Sequence, residues 1–368
     1  MEITFLEDKS TALDPITLTR SASQIRCGGT TLSELVETFK KEFAKKGSGV
    51  LYINPRAIPS YEHLRDTLVR AKKGAGFHLV SNTETVAIFT VKLSTEKRKE
   101  EETSWPLFTA LSEIITHNGI LLSTNLPHLA KGMKKLPKAR NVFIGKKVSI
   151  DPSTRFDAAK GPILISDNVT ILPFSYLVGP LVLGEGSTVS PHSYITKSSI
   201  GPVCKVGGEI THAIMQGYSN KAHYGFLGHS YVGEWVNLGG GSATSNLKNT
   251  YGTIRMQKKD TGEQLLGSVI GDWSKIAAGA IISAGKVLGV NTIVYGTVTD
   301  DVPSFTNYVS KDTLIECPLE IAITIAARMR VRRDLATPAS YADMMARAYE
   351  ATREERKGRG VQRGVLEF

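Results

Sequence analysis

Apolar residues recur at every sixth position in two runs between residues 141 and 305, one from Ile165 to Val206 with a shortened step before Ile200 and one from Ile270 to Val294, and Ile144 and Ile150 form an earlier pair. The positions between them hold mostly Gly, Ser, Asn and Asp, as in GEGSTV, SDNVTI and GVNTIV. A helix repeats every 3.6 residues and a strand every two, so neither element alone gives this period. The recurring residues are Ile144, Ile150, Ile165, Ile171, Leu177, Leu183, Val189, Ile195, Ile200, Val206, Ile270, Ile276, Ile282, Leu288 and Val294.

A six-residue period predicts a triangular coil built from three units. Each unit supplies a short strand, one apolar side chain that points inward, and a turn that needs small residues. Stacked coils bury a continuous apolar column and pair each strand with the coils above and below it. The sequence therefore predicts a left-handed parallel β-helix of the hexapeptide-repeat type over residues 141–305. Its hand is a known exception to the rule that parallel crossovers are right-handed.

Two other segments flank the repeat. Short apolar strands alternate with amphipathic helices in residues 1–135, which predicts a small α/β domain, with a linker at 125–140. Two amphipathic helices in residues 311–368 are predicted to cover the open end of the β-helix, which would otherwise expose a sheet edge. The helices are predicted at 33–46, 61–74, 107–119, 319–334 and 340–356.

Charge and cysteine content limit the expected partners and the cellular compartment of the protein. The formal net charge is +10, and although nucleic acid is one anionic partner, phosphorylated metabolites and coenzyme A are others. Much of the excess lies in the last predicted helices and the tail, so we interpret it as a solvated face rather than a nucleic-acid site. Cys27, Cys204 and Cys317 form no CxxC pair, which argues against a disulfide framework. With no membrane-length apolar run and no secretory signal, we expect a cytoplasmic protein without a membrane partner.

The stretch Ser219–Asn246 carries residues able to do chemistry. Acyl transfer to an amine needs a base that takes a proton while nitrogen attacks the thioester, and histidine suits this role near neutral pH. His223 and His229 flank the segment FLG, although a lone histidine is also often structural. Gly239–Gly241 has no strand–helix unit around it, so we interpret it as a tight corner of the coil rather than a phosphate-binding loop.

The same stretch resembles a known family. NKAHYGFLGHSYVGEWVNLGGGSATSN is similar to the acetyltransferase domain of the bifunctional glucosamine-1-phosphate acetyltransferase / N-acetylglucosamine-1-phosphate uridyltransferase. GGEI, GYSNKAH and SNLKN further resemble a shorter sugar-nucleotidyltransferase-like group with a reduced front domain. The resemblance implies a homotrimeric acyltransferase of sugar-nucleotide metabolism, which moves an acetyl group from acetyl-CoA to an amino-sugar phosphate.

The resemblance also implies roles for individual residues. His223 aligns with the catalytic base. Four residues align with or lie near substrate contacts, namely Asn237, Asn246, Phe226 and Glu209. Four more are placed at the coenzyme A site, where small side chains line the cleft and cations meet the phosphates, namely Ala278, Gly296, Lys248 and Arg255. No metal ligand is expected in this domain.

Two departures from the family pattern leave the substrate open. Phe226 stands where a tyrosine hydroxyl usually binds the sugar phosphate. The basic pair expected before the catalytic histidine is absent around Glu209–His212. Candidates to take the place of this pair are Lys197, Lys205 and Lys221.

Three alternatives stay open from the sequence. LDPITLTR and QIRCGGTTLSELV resemble sugar-1-phosphate nucleotidyltransferases, which implies a Mg²⁺-dependent front domain with Arg20, Arg26 and Arg56 near phosphate. The Gly-rich loop of those enzymes is replaced here by EDKSTALD. The second alternative is a non-catalytic oligomer that binds a nucleotide sugar. The third is a carbonic-anhydrase-like zinc protein, which would have to recruit four histidines without a matching motif, namely His192, His212, His223 and His229.

Overall fold

The computed structural model describes residues 1–43, 49–91 and 99–364, with all of their side chains except those of residues 41–43. The N-terminal part is an α/β domain, as predicted. Its strands are β1 (Glu2–Phe5), β2 (Val50–Ile53), β3 (Phe77–Ser81), β4 (Glu84–Thr90) and β5 (Glu100–Glu102). Its helices are α1 (Leu32–Phe43), α2 (Tyr61–Lys72) and α3 (Leu111–Leu129), and two 3₁₀ turns precede α1 at Ile16–Leu18 and Ala22–Gln24. The sheet runs in the order β1-β2-β4-β3-β5 and mixes parallel and antiparallel pairs.

The local sequence explains the first two helices. Leu35, Val36 and Phe39 of α1 are buried against the sheet, as their spacing predicts. Ser60 caps α2 because its side chain accepts a hydrogen bond from the backbone N–H of His63. The predicted end of α1, at residues 44–46, lies outside the described residues.

The third helix is longer than predicted. It begins at Leu111 and ends at Leu129, so it runs past Pro127 into the segment predicted as a linker. Leu122 and Leu126 of this extension are fully buried against the repeat region. Most helix stability in proteins comes from such packing, which here outweighs the low propensity of proline.

Three long sheets follow and form the three sides of the predicted left-handed β-helix. Their strands pair in parallel, except that Lys134–Lys135 runs antiparallel to Val142–Ile144 and Thr313–Glu316 runs antiparallel to Thr306–Ser310. Face A contains Lys134–Lys135, Val142–Ile144, Ile163–Ile165, Leu181–Leu183, Ser199–Ile200, Ile214–Gly217, Tyr231–Glu234, Val269–Ile270 and Val287–Leu288. Face B contains Ser149–Ile150, Thr170–Ile171, Thr188–Val189, Lys205–Val206, Asn220–Lys221, Asn237–Leu238, Lys275–Ile276, Ile293–Val294, Thr306–Ser310 and Thr313–Glu316. Face C contains Arg155–Asp157, Tyr176–Val178, Tyr194–Thr196, Glu209–Thr211, Phe226–Gly228, Ala243–Thr244, Ile281–Ile282 and Thr297–Val298.

The recurring apolar residues point into this prism, which confirms the interpretation of the repeat. All of them are at most 2% exposed except Ile144 and Ile150, which lie in the first coil and are partly buried. Two polar residues also take inward positions, because Lys221 follows Val206 and Thr244 follows Leu227 in the strand register. Both are 0% exposed, and neither inward position was predicted.

The N-terminal domain covers face A. Outward side chains of this face, such as Tyr231 and Val269, are buried against Ile16 and Ile114 of the N-terminal domain. A hairpin, Arg255–Met256 and Lys259–Asp260, leaves the prism after face C and adds Met256 to the same apolar cluster. The insertion therefore braces the two domains against each other.

The C-terminal helices are α4 (Leu319–Val331), α5 (Ser340–Ala351) and the short α6 (Arg353–Gly358). They cover the corner between faces A and B, called corner AB, where Tyr218, Trp235 and Trp273 stack with ring centroids 4.8 and 5.3 Å apart. On α4, Ile321 is 49% exposed, whereas the small residue Ala322 is buried. A close fit on flat aromatic rings explains why small side chains face inward there. None of the described helices is long and apolar enough to cross a membrane.

Each part of the protein holds one free, buried cysteine. Cys27 lies in the cluster between the N-terminal domain and face A. Cys204 lies in the prism, and Cys317 lies in the cluster under the C-terminal helices. Because the three thiols lie in separate clusters, no disulfide joins them, as their spacing predicts.

Candidate functional site

The predicted base lies on a column of small residues at the corner between faces B and C, called corner BC. Asn220, Asn237, Lys275 and Ile293 pair in register on face B. Each is followed three residues later by the corner residue of its coil, and these are His223, Gly240, Ala278 and Gly296. The strand register thus stacks the predicted base below the two positions predicted to line the coenzyme A cleft.

The side chain of His223 is exposed at this corner. A Cβ placed on Gly240, in the next coil, would lie 3.6 Å from the Cβ of His223 and 3.9 Å from its ring Cδ2. Glycine at residue 240 therefore keeps the surface beside the imidazole open. Gly241 has a φ of +73°, which confirms the glycine run as a tight corner.

Lys221 holds the backbone of this corner from inside the prism. Its Nζ donates hydrogen bonds to the carbonyl oxygens of His223 at 2.7 Å and Gly207 at 3.3 Å. Burial lowers its pKa to about 8. Lys221 therefore cannot replace the missing basic pair on the outer surface, although the sequence left it as a candidate.

A second group of predicted residues lies on face C. Glu209 and Phe226 are neighbours in the strand register, one rung apart. The ring of Phe226 lies over Gly228, where an added Cβ would come within 2.3 Å of the ring and 2.9 Å of Asn246 Nδ2. Three of the four predicted substrate contacts are thus brought together around Phe226–Gly228, the strand that follows His223.

Two histidines stack at the far edge of face C, where face A begins. The rings of His212 and His229 are 4.3 Å apart and almost parallel. Asn246 Nδ2 donates to His229 Nδ1 at 2.8 Å, so the proton of neutral His229 lies on Nε2. Burial lowers the pKa of His212 to about 4, with further contributions from His229 and Lys197. No sequence motif indicates this pair, because the two residues lie in different coils.

The fourth predicted substrate contact, Asn237, lies away from the others, on face B. It lines a cavity of about 300 Å³ between this face and α4. The other lining residues are Lys205, Asn220, Lys275, Met329, Arg332 and Arg333. Burial lowers the pKa of Lys275 to about 7. Lys205 is a phosphate ligand candidate predicted from the sequence, whereas the other cations of this cavity, Lys275, Arg332 and Arg333, were not predicted.

The structure separates Lys248 and Arg255 from the other predicted coenzyme A positions. Both lie on the insertion that leaves the prism after Asn246, and the Nζ of Lys248 donates to the carbonyl of Thr253. Arg255 is exposed opposite Asp260 in the hairpin. Within one chain these cations do not face the column that contains Ala278.

The histidines considered as zinc ligands do not converge either. His192 stacks on Phe174 at corner BC, two coils from His223, whereas His212 and His229 lie at the opposite edge of face C. Over the described ranges, no three His, Cys, Asp or Glu residues are grouped so that they could hold a metal ion.

The N-terminal arginines considered as phosphate contacts are buried in ion pairs. Arg20 pairs with Asp272 and, at 3.2 Å, with Glu234, both on the repeat region. Arg26 pairs with Glu34 at 2.6 Å, and Arg56 pairs with Glu84. These cations stabilise the domain and its contact with face A and corner AB.

The sequence comparisons identify relatives of limited extent. No family model matches the chain. Bifunctional protein GlmU of Trichodesmium erythraeum (strain IMS101) is 28% identical over 178 residues, which are 48% of this chain and 29% of that protein. Bifunctional protein GlmU of Rippkaea orientalis (strain PCC 8801 / RF-1) is 32% identical over 164 residues, 44% of this chain and 32% of that protein. The chain thus spans about a third of the length of the curated relatives it matches.

The solved structures that match are remote. A point mutant of AntD, an N-acyltransferase from Bacillus cereus, is 16% identical and covers 52% of this chain and 91% of its own, with a TM-score of 0.26. Francisella novicida UDP-N-acetylglucosamine acyltransferase is 16% identical and covers 61% and 89%, with a TM-score of 0.24. At these scores the likeness carries no argument about function.

Proposed function

We propose that this hexapeptide-repeat protein, a relative of bifunctional protein GlmU, is an acyltransferase of sugar-nucleotide metabolism. It transfers an acetyl group from acetyl-CoA to the amine of an amino-sugar phosphate. The position of His223 on the column that also contains Gly240, Ala278 and Gly296 carries this proposal. A base and an open groove of small side chains are the two features that thioester aminolysis needs at one place.

The chemistry follows from the position of the imidazole. The amine nitrogen attacks the thioester carbon, the carbon–sulfur bond breaks, and His223 accepts the proton that the nitrogen loses. The same imidazolium can return the proton to the departing thiolate. Gly240, Ala278 and Gly296 leave room along the corner for the pantetheine chain. Glu209, Phe226 and Asn246 offer an adjoining surface for the sugar.

We also propose a homotrimer. His223 is exposed at a convex edge of one prism, whereas acyl transfer works best where water is excluded. Corner BC and face C also expose aromatic side chains, among them Phe174, 62% exposed, and Tyr176, 43% exposed. A neighbouring copy packed against this edge would cover them and complete the cleft.

Nucleotidyl transfer by the N-terminal domain is the alternative, with Mg²⁺ as its metal. The buried ion pairs of Arg20, Arg26 and Arg56 favour acyl transfer, because these cations are neutralised by carboxylates. Separate assays of thiol release and pyrophosphate release with glucosamine-1-phosphate, acetyl-CoA and UTP distinguish the two reactions. Retained binding of a nucleotide sugar with neither product would favour the non-catalytic oligomer.

The assigned base is tested by His223→Ala. Loss of a general base lowers the rate by about 10²- to 10⁴-fold, so we expect the kcat of thiol release to fall by this amount. His192→Ala is the matched control, since His192 lies at the same corner two coils away. Thiol release by His223→Ala at the wild-type rate would remove His223 from this role.

A further inference from the structure

The cavity on face B is lined, apart from Met329, by basic side chains and amides, all of which can donate hydrogen bonds. Lys205 and Lys275 lie on the first and last of four consecutive rungs, with Asn220 and Asn237 between them. Neighbouring strands are about 4.8 Å apart, so the four side chains form a column of roughly 14 Å. The helix α4 closes the column from the side, with the cavity of about 300 Å³ between them.

The cations of this cavity have no carboxylate partner. No Asp or Glu is among the residues that line it, and neither of its lysines nor its two arginines forms an ion pair within the described part of the chain. Arg333 donates instead to the carbonyl oxygens of Val203 at 2.7 Å and Tyr218 at 3.1 Å. Grouped cations without counter-charges create a positive potential that attracts anions.

The amide groups are oriented by Arg333. A guanidinium only donates, so Asn220 presents its Oδ1 to Arg333 at 2.8 Å. Its Nδ2 then donates to Asn237 Oδ1 at 3.2 Å. The acceptor of Asn237 is thereby occupied, and its Nδ2 remains as a donor toward the cavity. The lysines, Arg332 and Asn237 therefore offer donors to whatever enters.

We propose that this cavity binds the phosphate group of the substrate in place of the basic pair that the family pattern places before the catalytic histidine. The proposal rests on the proposed acyl transfer. The anchor would be Lys205, Lys275, Asn237 and Arg332, with Arg333 as a positioning residue. A phosphate oxygen accepts several donors at once, and charge-assisted bonds of this kind are about twice as strong as neutral ones.

The distance to the base supports this assignment. Asn220 and His223 are three residues apart along the chain, which spans about 10 Å at most. A phosphate held on face B therefore lies within reach of corner BC for a molecule the size of a sugar phosphate. Coenzyme A also carries phosphates, so either substrate could supply the group.

Phosphate binding by wild type and by variants of the cavity tests this proposal. At pH 6, below the pKa of about 7 of Lys275, we expect calorimetry to detect binding of inorganic phosphate and pyrophosphate to the wild-type protein. Lys205→Met combined with Lys275→Met removes two charge-assisted contacts, so we expect at least about 10-fold weaker binding. Lys146→Met combined with Lys160→Met removes the same charge from exposed positions and should bind like wild type. Asn237→Asp places a carboxylate in the cavity with almost no change in shape and should also abolish binding.

Substrate analogues identify the source of the phosphate. A raised KM for glucosamine-1-phosphate with an unchanged KM for acetyl-CoA assigns the cavity to the sugar. The reverse pattern, with 3′-dephospho-coenzyme A insensitive to the double substitution, assigns it to coenzyme A.

Failure of this proposal is distinguishable from failure of the proposed function. Full phosphate binding and both KM values unchanged in the double variant and in Asn237→Asp would overturn the anchor while acyl transfer stands. If the double variant loses phosphate binding but the wild-type protein shows no thiol release, the anion site stands and the proposed acyl transfer is overturned.

Discussion

Lys221 occupies an inward position that the repeat otherwise gives to apolar side chains. Its ammonium group is satisfied by two carbonyl oxygens, one of them from His223. A protonated amine in the prism is unfavourable because burial opposes the charged form, which lowers its pKa to about 8. The protein therefore keeps a destabilising residue whose contacts fix the backbone that carries the proposed base.

Lys221→Met should make the protein more stable at neutral pH. Below pH 8 the lysine is protonated in both folded and unfolded chains, and only the folded chain bears the unfavourable burial. Between the folded pKa of about 8 and the unfolded value of about 10.4, the unfolded chain binds more protons, so wild-type stability rises with pH. We expect the variant to have a larger free energy of unfolding than wild type in urea denaturation at pH 7. At pH 10 this difference should be smaller. A gain equal at both values would contradict the buried, titrating lysine.

Asp272 connects the coils of the β-helix to the N-terminal domain. Asp272, in corner AB, accepts hydrogen bonds from Thr19 Oγ1 at 2.6 Å and from the backbone N–H of Glu234 at 2.8 Å, and it pairs with Arg20. The N-terminal domain is thereby held to two successive coils. Since Asp272 is 2% exposed, its charge is shielded from water and depends on these partners.

Asp272→Asn tests this contact. The substitution leaves the guanidinium of Arg20 buried with Glu234 alone, and breaking a buried pair commonly lowers stability by about 3–5 kcal/mol. Asp66→Asn is the control, because its pair with Arg65 is exposed and its loss should change the stability very little. Unfolding free energies from urea denaturation give both values. Equal, small losses would mean that the domains are held together by apolar contacts only.

At the scale of the whole molecule, face A is covered by the N-terminal domain and corner AB by the C-terminal helices. Face C keeps Tyr176 and Tyr194 uncovered, with ring centroids 5.8 Å apart. The proposed homotrimer should sediment with three times the chain mass of 39.9 kDa. Tyr176→Arg with Tyr194→Arg should reduce this mass, whereas Val69→Arg, on exposed α2, should leave it unchanged. A single-chain mass for wild type would contradict the trimer.

Much of the fold was predictable because its signal is periodic. The recurring apolar residues could be assigned to inward positions from the sequence, although Lys221 and Thr244 could not, and the register then placed His223, Ala278 and Gly296 on one column. The cavity on face B could not be predicted. Lys205 and Lys275 are brought to one face by the stacking of the coils, but Arg332 joins them only because the chain folds back onto the prism at α4. The extension of α3 was missed for the same reason, since packing on face A decides it.

The three buried cysteines can each report on the opening of a different region of the protein. A thiol reagent needs both access and a thiolate, and burial denies both, raising the pKa of Cys204 and of Cys317 to about 11. Cys27 reacts only when the N-terminal domain leaves face A, Cys204 only when the prism opens, and Cys317 only when the C-terminal helices lift away. The order in which the three thiols are modified in mild denaturant, measured by mass spectrometry, therefore gives the order in which the three regions unfold.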